Sequence, residues 1–150
     1  MTEIWKDIPG YEGIYQASNL GRLKVLRRLR KCVSKKGTHF TASLPEKILQ
    51  TYKGSNSNHR WVLLVNGNGV EKRFGVHVLI LMTFLGPPPK EGMMCCHKDD
   101  IADNNIPSNL YWGDRKTNGR DAVRNGRSIK AGIHPQTKLS ESQVVEIKRD

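Results

Sequence analysis

The sequence predicts an α+β fold, in which a small antiparallel β unit at the N-terminus precedes a strand–loop–strand–helix unit and a C-terminal helix. Two observations support this prediction. Short extended runs separated by Gly, Pro and Asn fill the first half of the chain, and helical patterns begin only afterwards. With 150 residues and 37% hydrophobic content, the chain fits one domain or two very small ones. We divide it into residues 1–58, 59–127 and 128–150.

Turn residues enclose a short extended run in the first unit. Pro9-Gly10 and Asn19-Leu20-Gly21 are turn signals on either side of residues 13–17. Basic and aliphatic residues then alternate. Alternate residues of a strand share a face, so we expect one face to carry Leu23 and Val25 and the other Arg22, Lys24 and Leu26.

Residues 31–58 carry the weakest pattern of the chain. Lys35-Lys36-Gly37 and residues 53–58 have the composition of loops. Residues 47–52 are predicted to be extended between them.

A hairpin followed by a helix is the next prediction. Residues 61–65 and 70–74 are strand-like, and the Asn-Gly pairs of residues 66–69 tolerate the positive φ values of a tight turn. Residues 76–85 are apolar and long enough for a buried helix, which Gly86-Pro87-Pro88-Pro89 ends. Composition alone would suit a buried strand there nearly as well.

Strand, loop, strand and helix follow the proline run in that order. Residues 93–97 and 110–112 are the strands, and residues 98–106 form the polar loop between them. Asp114 is placed to cap the final helix, and Asn125-Gly126 supplies its C-terminal stop.

The C-terminal segment contains a linker and one more helix. Gly132 and Pro135 interrupt residues 128–136, and Ser140 with Gln143 forms a capping-box pair at the start of a helix. One helix cannot bury its own apolar stripe. It therefore either docks on the body or begins a helix-turn-helix unit.

The charge of the chain points to a polyanionic partner. Lys and Arg number 25 against 14 Asp and Glu, which gives a net charge of +11. Eight of these cations lie between Arg22 and Lys36 without an intervening acid. Nucleic acid is the simplest partner for such a surface, because neutralised phosphates release counterions. The alternative is an ordinary solvated basic surface.

Cysteine usage and hydropathy predict a cytoplasmic protein without a membrane segment. Cys32, Cys95 and Cys96 form no CxxC pair, so a structural zinc site or a disulfide framework is not expected. The first residues lack the apolar core of a signal peptide. The longest apolar run, residues 76–85, is far shorter than the roughly 20 residues that span a bilayer.

One imidazole and several carboxamides concentrate between residues 96 and 118. An imidazole takes up a proton from water near neutral pH, and an Asn oxygen ligates a hard cation or locks a loop. On a basic chain, these groups suggest metal-assisted hydrolysis of a phosphodiester. A second histidine, His77, lies in the apolar helix and is expected to be a satisfied core or capping residue.

These motifs resemble the HNH endonucleases of phage and intron-homing type. The resemblance rests on Cys96-His97-Lys98-Asp99, Asn104-Asn105, Asn109-Leu110-Tyr111-Trp112-Gly113 and Asn118, preceded by the helix of residues 76–85. Residues 3–12 and 15–22 resemble the DNA-binding module often fused to these enzymes, and residues 138–147 resemble the start of their helix-turn-helix module.

The resemblance implies a role for each unit and for the central residues. Residues 1–58 would be a DNA-binding β module, 59–127 a ββα-metal nuclease domain, and 128–150 a linker with the start of a helix-turn-helix module. His97 would be the general base that activates water. Asn109 would orient His97 or brace the loop, and Asn118 would ligate the metal.

Two positions depart from the family pattern. Cys96 stands where relatives often carry a metal-binding Asp. A thiol suits Mg²⁺ poorly and softer ions better, so either Cys96 ligates weakly or the ion relies on Asn118, phosphate and water. One divalent ion is implied, with Mg²⁺ or Mn²⁺ first. Asp100 stands where many relatives have Gly, and it or Asp99 would add charge near the metal or simply form the turn.

The remaining polar residues receive simpler roles. Asn104 and Asn105 are expected to lock the loop by hydrogen bonds to the backbone, and Trp112 is expected in the core. Phosphate contacts are predicted for Arg22, Lys24, Arg27, Arg28, Arg115, Lys116, Arg120 and Arg124.

The predicted function is metal-dependent cleavage of double-stranded DNA, one strand per active site, by a monomer. Two alternatives remain. One is a DNA-binding relative that has lost catalysis, for which Cys96 is the main argument. The other is a basic RNA-binding protein.

Overall fold

The computed structural model describes residues 2–55 and 57–126, which form eleven strands and two α-helices. The predicted linker and helix of residues 128–150 lie outside the described residues. Strands come first, as predicted, and the α+β class is confirmed. In the described ranges, no helix has the length and apolarity needed to cross a bilayer.

Four short strands form the N-terminal sheet. Its order is β1 (Trp5–Asp7), β2 (Tyr15–Ser18), β3 (Leu23–Val25) and β6 (Lys47–Ile48), with each neighbouring pair antiparallel. The predicted alternation of β3 is confirmed on its inner face, because Leu23 and Val25 are buried beside Tyr15 and Ala17 of β2.

A separate two-stranded ribbon is inserted between β3 and β6 of this sheet. β4 (Arg28–Val33) and β5 (His39–Leu44) pair only with each other, and the turn at Lys35-Lys36-Gly37 closes them as predicted. Nearly all of the ribbon's residues are exposed or half-buried.

The predicted loop at residues 53–58 is wrong. β7 (Tyr52–Gly54) and β8 (Ser57–Val65) occupy most of it and form a three-stranded antiparallel sheet with β9 (Glu71–Gly75). Because Ser57 and Arg60 pair with Gly54 and Lys53 of β7, ladder bonds satisfy a backbone whose Ser and Asn content by itself favours a loop. The predicted turn at residues 66–69 is confirmed.

One apolar cluster holds the sheets together. Helix α1 (Val76–Leu85) buries Leu79, Ile80 and Leu81 against residues of the N-terminal sheet and of β8. The helix ends as predicted at Gly86, whose φ of 89° is accessible to glycine. Both predicted units therefore share a core rather than each having its own.

The predicted strand–loop–strand–helix unit lies beside this core. β10 (Met94–His97) pairs antiparallel with β11 (Leu110–Gly113), and a 3₁₀ turn over Pro107–Asn109 leads into β11. Helix α2 (Arg115–Arg124) follows at once. Its cap is the predicted Asp114, whose carboxylate accepts a hydrogen bond from the backbone N of Thr117 at 2.7 Å.

Candidate active site

His97 is the last residue of β10 and is only 6% exposed. Its Nε2 lies 3.0 Å from Oδ1 of Asn105, which is itself 5% exposed. A carboxamide oxygen can only accept, so Nε2 carries the proton and donates. The lone pair of the neutral ring is then on Nδ1, which is the atom able to take a proton from water.

The partner of His97 is therefore Asn105 and not Asn109. The sequence analysis assigned Asn105 a loop-locking role alone and allowed Asn109 to orient the imidazole. In the structure, Asn105 extends from the loop into the buried contact with His97.

Asn109 fulfils the other predicted alternative and braces the loop. Its Nδ2 donates to Oδ1 of Asp99 at 2.8 Å and to the backbone oxygen of Asn104 at 2.9 Å. Its Oδ1 accepts from the backbone N of Asp99 at 3.2 Å. These bonds fix the start and the middle of the loop to the residue that precedes β11.

Asp99 is the acceptor at the centre of this loop. Asn104 donates to its Oδ2 at 2.5 Å, so it bonds to a side chain and not to the backbone as predicted. The backbone N of Ile101 donates to its Oδ1 at 2.9 Å. Partial desolvation opposes ionisation of this carboxyl, but the hydrogen bonds from Ile101, Asn104 and Asn109 outweigh it and lower its pKa. Asp99 thus forms the turn and is saturated with donors.

Helix α2 brings Asn118 to the same cleft as His97. The two residues line an open cleft of about 410 Å³, together with Cys96 and Asp100. The helix is attached to β11 by a short hydrogen bond from the Tyr111 hydroxyl to Asp121, which is 7% exposed. His97 and Asn118 thus line one cleft, whereas Asn109, predicted to converge on the same point, is directed to the loop instead.

Asp100 adopts the left-handed conformation, with a φ of 62°. Among the described residues it is the one non-glycine residue with positive φ. Asp tolerates this region better than most residues, which explains how Asp replaces the Gly of the family pattern here. Its side chain lines the cleft.

Cys96 lines the same cleft, but its side chain is largely covered. The residue is 3% exposed and its Sγ lies 3.6 Å from the backbone oxygen of Met94. Burial raises the pKa of the thiol, against a smaller opposite effect of the Tyr111 hydroxyl. Its role as a metal ligand stays a prediction.

The remaining donors of the cleft fit a hard cation that keeps water and substrate in its shell. Within residues 2–55 and 57–126, no three His, Cys, Asp or Glu side chains form a ready metal cage. Asn118 and Asp100, whose side chains carry oxygen donors, both line the cleft. One or two oxygen ligands completed by phosphate and water is the coordination that Mg²⁺ commonly adopts.

Two further histidines pack against His97, and sequence reasoning missed one of them entirely. His59 of β8 lies with its ring centroid 5.5 Å from that of His97 and 4.5 Å from that of His77. His59 also lines the cleft. His59 falls between the predicted loop at residues 53–58 and the predicted strand at residues 61–65, and no pattern there would have identified it.

His77 is buried as predicted but is not satisfied. It does not cap α1, and its Nδ1 has no hydrogen-bond partner among the described residues. Burial, followed by the proximity of His59 and His97, lowers the pKa of His77 to about 3. The ring is therefore neutral at physiological pH.

The predicted phosphate contacts divide into exposed and engaged side chains. The structure argues against the phosphate contact predicted for Lys24. Its side chain is only 13% exposed, pairs with Glu46 at 3.2 Å and lies over the ring of Trp5. Arg22 pairs with Glu3, and Arg124 with Asp121, although both Arg side chains are more than half exposed. The other exposed positions are held by Arg27, Arg28, Arg115, Lys116 and Arg120.

Comparison with known proteins finds two families along the chain. Residues 3–57 match the NUMOD4 motif, and residues 74–120 match the HNH endonuclease family. DNA endonuclease I-HmuI of Bacillus phage SP01 is 34% identical over 122 residues, which are 81% of this chain and 59% of that protein. The chain thus spans 59% of the length of this relative.

A solved structure is similar as well. That structure is described as DNA binding and cleavage by the HNH homing endonuclease I-HmuI. Its sequence is 29% identical to this chain, and the TM-score of the two structures is 0.61. The similarity covers 97% of this chain and 68% of that one.

Proposed function

This chain carries a NUMOD4 motif ahead of an HNH endonuclease domain and belongs to the HNH homing-type endonucleases, and on that premise we propose that it hydrolyses phosphodiester bonds of double-stranded DNA. The observation that carries the proposal is the shared cleft. His97 and Asn118, both predicted from the resemblance to HNH endonucleases, line one opening on a chain with a net charge of +11.

His97 is the general base in this proposal. Asn105 accepts from Nε2, so Nδ1 takes the proton of the attacking water. The rings of His59 and His77 pack against the buried His97 ring and hold its orientation. Asn109 acts on the loop that carries Asn105, through its bonds to Asp99 and Asn104.

Asn118 would hold a divalent ion, with Asp100 as a second oxygen donor in the cleft. When bound, the ion supplies charge stabilisation for the leaving 3′ oxygen. We propose Mg²⁺ or Mn²⁺, because Asn118 and Asp100 of the cleft carry oxygen donors, which suit these ions.

The remaining features describe the enzyme in its setting. The exposed cations Arg27 and Arg28 and those of α2 would contact phosphates on either side of the cleft. One active site per chain implies nicking of one strand by a monomer. Similarity to a phage endonuclease supports a phage gene product that acts in the host cytoplasm.

Nicking of supercoiled plasmid tests the proposal. The purified chain should convert plasmid to the open-circular form with Mg²⁺ or Mn²⁺ and stop when the ion is chelated. His97→Ala should lower the rate by about 10²–10⁴-fold and keep its affinity for labelled duplex DNA. If wild-type protein leaves the plasmid intact while both proteins bind equally, the chain is a DNA-binding relative without catalysis. Tighter binding of RNA than of DNA would favour the RNA-binding alternative.

A further inference from the structure

The turn between β2 and β3 is unusually well fastened. The backbone N of Ser18 donates to the oxygen of Arg22 at 2.8 Å, and the N of Gly21 donates to the oxygen of Ser18 at 3.1 Å. Oγ of Ser18, a residue with 0% exposure, accepts from the backbone N of both Leu20 and Arg22. Asn19 Oδ1 accepts from the backbone N of Ile4 at 2.7 Å. The turn is therefore a rigid part of the N-terminal module.

Gly21 of this turn presses on the backbone of Asn105. A Cβ atom at Gly21 would lie 3.0 Å from both the carbonyl carbon and the carbonyl oxygen of Asn105, and 3.3 Å from its Cβ. Its φ of 78° is the left-handed conformation. Position 21 thus requires glycine for its backbone conformation and for the closeness of the loop.

Two residues before Asn105, ion pairs at Asp103 also fix the loop. Asp103 pairs with Lys53 of β7 at 3.1 Å and with Arg60 of β8 at 3.0 Å. The backbone N of Asn105 donates to the oxygen of Asp103 at 3.2 Å. Between these ion pairs and Gly21, the main chain of Asn105 has little room to move.

We propose that Gly21 is a positioning residue for His97: the N-terminal turn holds the backbone of Asn105, and Asn105 holds the imidazole. This inference deepens the proposed function and depends on it. It assigns the NUMOD4 module a second task besides contacting DNA, namely completing the active site of the HNH domain. The chain of contacts runs from Gly21 to the Asn105 backbone and from its Oδ1 to Nε2 of His97.

Gly21→Ala, compared with Gly10→Ala, tests this coupling. Both glycines lie in turns of the same module with φ near +80°, but a Cβ at Gly10 meets nothing within 4 Å. Both variants therefore carry the same backbone strain, and only Gly21→Ala pushes on Asn105. With supercoiled plasmid and Mg²⁺ or Mn²⁺, Gly21→Ala should lower kcat on the order of ten- to a hundredfold with little change in KM. Gly10→Ala should retain the wild-type kcat.

A spectroscopic measurement makes the result independent of cleavage. In ¹⁵N NMR at mildly alkaline pH, the ring nitrogens that vanish in His97→Ala belong to His97. Wild-type protein and Gly10→Ala should show His97 protonated at Nε2, whereas Gly21→Ala should show a mixture of the two tautomers. The double variant Gly21→Ala/Asn105→Ala should lose no more kcat than Asn105→Ala alone, because both act through one contact.

The outcomes separate this inference from the proposed function. Equal kcat in Gly21→Ala and Gly10→Ala, a change confined to KM, or an unaltered His97 tautomer in Gly21→Ala overturns it. If wild-type protein does not nick plasmid, the proposed function fails, and the tautomer measurement alone decides whether Gly21 positions His97.

Discussion

Replacing Asn109 by Ala should reduce the stability of the protein more than it affects the chemistry of a correctly folded site. Asn109 is 8% exposed, and its side chain makes three hydrogen bonds, two with Asp99 and one with the backbone oxygen of Asn104. Within the part of the chain that the structure describes, no side-chain hydrogen bond joins Asn109 to His97. If each bond contributes about 1 kcal/mol net, Asn109→Ala lowers the free energy of unfolding by about 3 kcal/mol.

Urea denaturation measures this loss. With a slope of about 2 kcal/mol per M for a protein of this size, the midpoint should fall by about 1.5 M. Asn104→Ala is the matched control, because it removes one side-chain bond to Asp99 and keeps the backbone oxygen that Asn109 uses. Its expected loss is about 1 kcal/mol.

The acid side of the stability curve gives a second check. The pKa of Asp99 is lowered in the folded state from its ordinary value of 3.8, partly by its bond from Asn109. The stability from this carboxylate is therefore complete above the unfolded value and is lost as pH falls through the folded one. The difference in free energy of unfolding between wild type and Asn109→Ala should therefore become smaller as pH falls through that range. Asn109→Ala with wild-type stability and a large loss of kcat would refute the reasoning and return Asn109 to the role of orienting His97.

Two further predictions follow from corrected or unexpected positions. When DNA affinity is measured at several salt concentrations, Arg28→Ala should reduce the slope of log K on log[salt] by about 0.9, since one phosphate contact is lost. Lys24→Ala should leave this slope unchanged, because Lys24 is engaged with Glu46 and Trp5. An equal reduction of the slope in both variants would contradict the structure. The pKa of His77 is lowered from 6.5 to about 3, so below pH 6.5 the unfolded chain binds a proton that the folded chain does not. Stability should then fall with falling pH by at most about 1.4 kcal/mol per unit. This component should be absent in His77→Leu, as denaturation at several pH values would show, and an identical pH dependence in both proteins would be inconsistent with a neutral, buried His77.

Elements with a local signal were predictable from the sequence. Helix α1 ends at a glycine followed by three prolines, and α2 begins at an Asp cap, so both boundaries are written in short stretches of chain. The strand–loop–strand–helix unit has the same character. The strand at residues 57–60 lacked any such signal, because its composition favours a loop and its short, irregular pairing with β7 leaves no alternating pattern in the sequence.

Side-chain partners were harder to predict than elements. Lys24 alternates with Leu23 and Val25 and was assigned to the outer face, yet Trp5 of β1 and Glu46, which precedes β6, cover it. His59 joins the site because β8 passes beside β10 in space. The partners of Lys24 and of His97 lie far from them in sequence, and no local pattern in a single sequence specifies such contacts.

The exchange of roles between Asn105 and Asn109 has a geometric reason. In the β10–β11 ladder, His97 is directly opposite Leu110. Residues opposite each other direct their side chains to the same face, and the next residue along a strand faces the other way. Asn109 precedes Leu110, so its side chain faces the loop, where Asp99 and Asn104 receive it.

The face of His97 is instead reached by a loop residue whose backbone conformation no periodicity predicts. Asn105 can approach the imidazole only because the loop folds back over the end of β10, held by Asp103 on one side and by Gly21 on the other. The spacing of a histidine and two asparagines therefore identifies the family of the site but not which asparagine binds the histidine. That assignment depends on where the loop closes, and in this protein part of the closure is provided by a turn more than 80 residues away in sequence. A substitution in that turn is consequently expected to alter catalysis while leaving every residue of the HNH motif intact.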